Sequence, residues 1–157
     1  MKNDYISEIH EKDKLVLHPY EDLKDRGTYN RKLIVKSDNI YLYDENGKRY
    51  IDGPGGMWCN NIGHGNKEIA EAIKNQIETM DYCSPFSESS EKAAELASVL
   101  SELSPGDLNT VFFTPDGSSA NETALRFMML YNNILGRPEK KHIISRDRAY
   151  HGSTYLT

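Results

Sequence analysis

One stretch constrains this chain more than any other: Val111-Phe112-Phe113-Thr114-Pro115-Asp116-Gly117-Ser118-Ser119-Ala120-Asn121-Glu122. The apolar run at its start reads as a strand. Ala124-Leu125-Arg126-Phe127-Met128-Met129-Leu130 reads as a helix. A strand, a Gly-Ser turn and a helix start leave free backbone N–H groups at the positive end of a helix dipole, which suits a phosphate. Gly117 lets a ligand come close to the backbone, and Ser118 and Ser119 add hydroxyl donors. Ser119 and Glu122 fit the capping-box spacing, which predicts that the helix begins there. Alone, such a turn is as readily a plain helix cap.

The downstream residues add weight. Gly136-Arg137-Pro138 breaks the helix, and His142-Ile143-Ile144-Ser145 reads as a second strand, followed by Arg148-Ala149-Tyr150-His151-Gly152. The spacing predicts a strand-helix-strand unit with a right-handed crossover and parallel strands. Residues 116–119 and 150–152 then leave the carboxyl ends of those strands, the edge at which open α/β sheets bind ligands. A phosphate cup and an exposed ring on that edge suit a small, flat, phosphorylated ring. Tyr150 reads equally well as a packing residue at a strand end.

The first half is organised differently. A short helix is expected around residues 6–16, ended by Pro19 and Gly27. Residues 33–35, 40–43 and 49–51 read as an antiparallel meander, with Asn46-Gly47 as a hairpin turn. Tyr41, Tyr43 and Tyr50 are expected as cross-strand pairs. Gly53-Pro54-Gly55-Gly56 opens a loop carrying Trp58, the single tryptophan. Residues 67–80 and 91–103 have helical periodicity, and their Ile, Ala, Val, Leu and Met stripes are expected to be buried. The expected fold class is α/β.

Four pieces together resemble the class III aminotransferases, pyridoxal-phosphate enzymes of fold type I. They are residues 41–52 (YLYDENGKRYID), 57–65 (MWCNNIGHG), 112–124 (FFTPDGSSANETA) and 149–154 (AYHGST), in the family's order and approximate spacing. The resemblance implies an incomplete fold type I transferase: an N-terminal antiparallel meander plus the first strand-helix-strand unit of a mainly parallel sheet. Residues 1–80 correspond to the N-terminal segment and part of the small domain, and residues 81–157 to the start of the large cofactor-binding domain. Gly117 and Ser118 match the residues that hold the cofactor phosphate. Tyr150 matches the ring stacked on the pyridine, with His151 beside it as a second cofactor contact, and Trp58 matches the aromatic wall of the substrate pocket. Where Asp116 stands the family usually carries a small uncharged residue, and commonly Glu where Ser119 stands. A carboxylate beside a phosphate is repulsive, so Asp116 must be paired or turned away.

The resemblance also implies that the Schiff-base lysine lies outside this chain. The lysines present sit in charged stretches that read as solvated, or at the amino end of the second predicted strand, so no catalytic residue is assigned. The reading is the amino-terminal part of an aminotransferase that moves an amino group from an amine or omega-amino acid to a keto acid such as pyruvate, as a homodimer when full length. This chain alone is expected to be inactive. A non-catalytic cofactor-binding or dimerisation module is the alternative. An unrelated phosphate-binding α/β domain is a third, disfavoured by the absence of GxxxxGK[ST] and GxGxxG.

Composition bounds the partners. A formal net charge of -5 argues against nucleic acid. No secretory or membrane-spanning stretch is apparent, and a cytoplasmic protein is the simplest reading. Cys59 and Cys83 make no CxxC and the five histidines are scattered, so neither a disulfide framework nor a metal site is expected. With only two strands of a wide parallel sheet, the chain is expected to be poorly soluble or oligomeric when expressed alone.

Overall fold

Asp44 organises the first sheet of this chain. In the computed structural model, which describes residues 2–157, it is the one described residue that is buried as a whole, at 5% exposure. Strands β1 (Ile34–Asp38), β2 (Tyr41–Asp44) and β3 (Arg49–Ile51) form an antiparallel sheet in the order β1-β2-β3. A register irregularity lies between Ile34 and Lys36. The Asp44 Oδ1 atom accepts the amides of Asn46 and Lys48 at 2.9 Å each, and Tyr50 donates its hydroxyl to Oδ2 at 2.8 Å. Gly47 takes φ +79° in the same turn, a conformation open to glycine at no steric cost.

The tyrosines of the meander face cations rather than one another. Arg49 lies 4.4 Å from the Tyr41 ring centre, Lys36 5.3 Å from that of Tyr43, and Lys32 3.8 Å from that of Tyr50. The register sets Tyr43 opposite Lys36 and Arg49. Cation–π contact thus replaces the expected aromatic pairing.

The helices follow the periodicity closely. They are α1 (Lys2–Asp13), a four-residue turn α2 (Gly55–Trp58), α3 (Lys67–Thr79), α4 (Glu91–Leu103) and α5 (Gly117–Ile134). Asn66 caps α3 by accepting the Ile69 amide at 3.0 Å. Among the described residues, α1 begins four positions earlier than expected. The α2 turn is left-handed: Gly55, Gly56, Met57 and Trp58 have φ of +54°, +59°, +62° and +66°. Glycine adopts this freely, but each of the other two costs about 1–2 kcal/mol.

The chain divides into two units, residues 1–82 and 83–157. In the second, residues 111–113 and 142–145 were expected to be parallel strands, yet neither forms a strand. A strand exists by its ladder, and among the described residues no backbone group makes one with either segment. The helix between them forms because its hydrogen bonds are internal. Phe112 still packs edge-on against Phe127 of α5, ring centres 5.8 Å apart.

The expected core is likewise absent among the described residues: Ile69, Ile73 and Ile77 of α3, and Val99, Leu100 and Leu103 of α4, remain exposed. Burying a side chain of this size contributes about 1.5–3 kcal/mol, and here that contribution is largely unrealised. We therefore expect the isolated chain to elute as an oligomer or aggregate on gel filtration and to melt over a broad range. A sharp, reversible, concentration-independent melt of a monomer would contradict this.

Candidate functional site

The turn into α5 is built on Asp116, not on the expected Ser119–Glu122 box. Helix α5 starts at Gly117 and Asp116 is its N-cap, accepting the Ser119 amide at 2.8 Å and the Ser119 hydroxyl at 2.9 Å. An aspartate at the cap satisfies an orphan amide and faces the positive end of the dipole, so the helix begins earlier than Ser119 would allow. The Asp-x-x-Ser spacing carried this signal. The Ser119 amide and hydroxyl hold the Asp116 carboxyl below its ordinary value, with the Ser118 amide contributing less. Asp116 is thus paired, as its neighbourhood requires.

Gly117 is the first residue of the helix, and a Cβ there would meet no atom within 4 Å. The backbone at this point is open. Ser118 follows and holds the downstream segment: its Oγ accepts the Ser153 amide at 3.2 Å. Gly152 presses against the same turn, since a Cβ on it would lie 3.1 Å from Ser118 Cα and 2.2 Å from Thr157 Oγ1.

Tyr150 and His151 arrive through this docking. Tyr150 is 74% exposed. Hydrogen bonding from Ser153, then from Ser118, holds its phenol below the ordinary value near 10.0, against the opposing charge of Asp116. The Ser118–Ser153 bond brings the segment that carries Tyr150 to the start of α5. Asn121 donates its amide to the His151 carbonyl at 2.7 Å, so His151 is tied to the helix by its backbone. His151 also borders a cavity of about 460 Å³ with Ile143, Ile144 and Leu125, a hollow that Gly117, Ser118 and Tyr150 do not line.

Two anchors escaped the sequence reading. Asn121 is one. Glu122 is the other: hydrogen bonding from Thr154, then from Arg126, holds its carboxyl below its ordinary value, and the Tyr155 amide adds to this. Both lie on the first turns of α5, facing a segment some thirty residues later, and only the fold pairs them.

Trp58 belongs to the first unit, on the left-handed α2 turn, and is 75% exposed. Among the described residues no group of three or more His, Cys, Asp or Glu is placed to hold a metal, and no helix is long and apolar enough to cross a membrane.

The carboxyl shifts carry a pH dependence. Asp116 and Glu122 have folded-state values below their ordinary ones of 3.8 and 4.5. A depressed carboxyl contributes stability that is present above its unfolded value and lost as pH falls through the folded one. Acidification below about pH 4 should therefore release residues 151–157 and fray the start of α5. Amide exchange at Ser119 and Tyr155 checks this, and unchanged protection at pH 3 would refute it.

The comparisons agree in direction. The family model for class-III aminotransferases matches residues 24–157. An uncharacterized aminotransferase, y4uB, of Sinorhizobium fredii is 38% identical over 157 residues, covering 97% of this chain and 34% of that protein. The putrescine–pyruvate aminotransferase of Pseudomonas aeruginosa is 34% identical, covering 88% of this chain and 30% of that one. The omega transaminase of Pseudomonas jessenii, solved in complex with PMP, superimposes with a TM-score of 0.88 at 37% identity, covering 93% of this chain and 33% of its own. This chain thus spans about a third of the length of the relatives it matches.

Proposed function

The chain belongs to the class-III aminotransferase family, whose members depend on pyridoxal phosphate, and on that premise we propose that it is the amino-terminal part of an enzyme transferring an amino group from an amine or omega-amino acid to a keto acid such as pyruvate. One observation carries the reading: Gly117, Ser118 and Tyr150 meet in one unit, joined by the Ser118–Ser153 bond of 3.2 Å. Residues here fit the cofactor. The open backbone at Gly117 and the hydroxyl of Ser118 suit a phosphate at a helix start, and the segment with the exposed Tyr150 is tied to them.

In this reading the α5 amides and Ser118 bind the phosphate. Ser118 Oγ accepts the Ser153 amide, which fixes the hydroxyl at the helix start. Tyr150 orients the pyridine by stacking, His151 supplies a flanking contact, and Trp58 walls the substrate pocket. When bound, the cofactor supplies the electron sink for transamination, and the protein supplies position and electrostatics. We place the working enzyme as a cytoplasmic homodimer. The resemblance to putrescine–pyruvate and omega transaminases supports an amine or omega-amino acid as donor.

Transamination should appear in the product of the gene read beyond Thr157 and be absent from this chain alone. Both are assayed with putrescine or an omega-amino acid and pyruvate. Activity in neither, with pyridoxal phosphate bound by both, would favour a non-catalytic module. No pyridoxal phosphate bound by either would sink the reading.

A further inference from the structure

The loop carrying Trp58 is held shut by three side chains that the proposed function does not use. The loop leaves β3 at Asp52, whose amide donates to the Ile40 carbonyl at 2.9 Å. It returns at His64, whose backbone pairs both ways with Asn39, at 2.7 and 3.0 Å. Across the gap His64 Nε2 lies 2.8 Å from Asp52 Oδ2, and Asn60 Nδ2 lies 2.6 Å from His64 Nδ1. The Asp52 side chain is only 6% exposed. A carboxylate can only accept, so the ring proton belongs on Nε2, which leaves Nδ1 to accept from the Asn60 amide. The tautomer follows from the two partners.

We propose that Asp52, His64 and Asn60 are positioning residues for Trp58: their clasp holds residues 55–58 in the left-handed turn and so sets the direction in which the indole is presented. Met57 and Trp58 lack the freedom of glycine at φ +62° and +66°, so the turn needs outside support. The clasp residues supply it: the Asp52 carbonyl accepts the Gly55 amide at 3.2 Å, and the Asn60 backbone amide donates to the Gly55 carbonyl at 2.9 Å. The far end is pinned as well. A Cβ at Gly63, where φ is +83°, would lie 2.7 Å from Asn39 Oδ1. The clasp thus fixes both ends of the loop and its strained middle. Its meaning for substrate choice rests on reading Trp58 as the pocket wall, whereas its geometry does not.

Trp58 is the only tryptophan, so time-resolved fluorescence anisotropy of the full chain reads the loop directly. Asp52→Ala and His64→Ala should each raise the fast-decaying fraction about twofold, and the double variant should add little more. Lys92→Ala, which breaks a solvent-exposed pair with Glu95, should leave it unchanged. Far-UV circular dichroism should be the same throughout. The wild-type chain supplies a second readout that needs no variant: ¹⁵N shifts of the His64 ring should show the Nε2–H tautomer, and the Gly55 and Asn60 amides should exchange slowly. Clasp variants with wild-type anisotropy, or an Nδ1–H tautomer in the wild type, would overturn the proposal. No cofactor or substrate enters these measurements, so their failure would leave the aminotransferase reading standing, and the converse holds.

Discussion

Gly117→Leu is expected to weaken pyridoxal-phosphate binding by about two orders of magnitude while leaving the helix content unchanged. The two effects separate because of what surrounds this position. Apart from its chain neighbours and the backbone of its own helix, nothing among the described residues lies within 4 Å of a Cβ there, and φ is not positive, so a side chain meets no internal obstacle. Glycine is also a poor helix residue, and its replacement does not harm α5. The open space is the route by which a phosphate would reach the amides of the first turn. Filling it removes several charge-assisted hydrogen bonds together. Equilibrium dialysis against pyridoxal phosphate, with circular dichroism alongside, reads both halves. Undiminished binding would place the phosphate elsewhere.

Asp116 gives the second large effect, and its two roles pull in opposite directions. As the N-cap it accepts the Ser119 amide, and as an anion it competes with a phosphate for the same helix end. Asp116→Asn keeps an accepting oxygen and removes the charge. It should raise phosphate affinity about tenfold at low ionic strength, less at high salt, with little change in the melt. Asp116→Ala removes both, and should lower the melting midpoint by several degrees because the cap is lost. The contrast between the two variants is the informative result. If Asn and Ala behave alike in binding and in stability, Asp116 acts neither as a cap nor as a competing charge.

Much of the chain outside the candidate site was legible because its signals are local. Asn46-Gly47 turns where it does since Gly47 tolerates a positive φ, and the 67–80 and 91–103 stripes become α3 and α4 within a residue at each end. Helices hydrogen-bond internally and need no distant partner to exist. The predicted strands at 111–113 and 142–145 fail for the complementary reason, as their residue types favour a ladder that nothing in the described chain completes. Apolar stripes likewise mark a face that could be buried, without stating what buries it.

For the candidate site, residue identity was readable and attachment was not. Gly117, Ser118, Tyr150 and His151 stood out as a turn and an aromatic segment, and the chain brings them into one unit. Asn121 looked like an ordinary helix residue and Glu122 like half of a capping box, yet Asn121 bonds to the His151 carbonyl and Glu122 faces Thr154. Asp52 and His64 are twelve positions apart and no periodicity links them, yet they meet at 2.8 Å.

The sequence by itself determined the turns, the helices and the family, because these rest on backbone preferences and short-range order. Tertiary structure alone decided which of Asp116 and Ser119 takes the cap of α5, that Ser118 and Asn121 hold the tyrosine segment, and that the Trp58 loop closes on a histidine. Each is a contact between groups whose separation along the chain, or whose competition for one amide, is settled only when the backbone has taken its path.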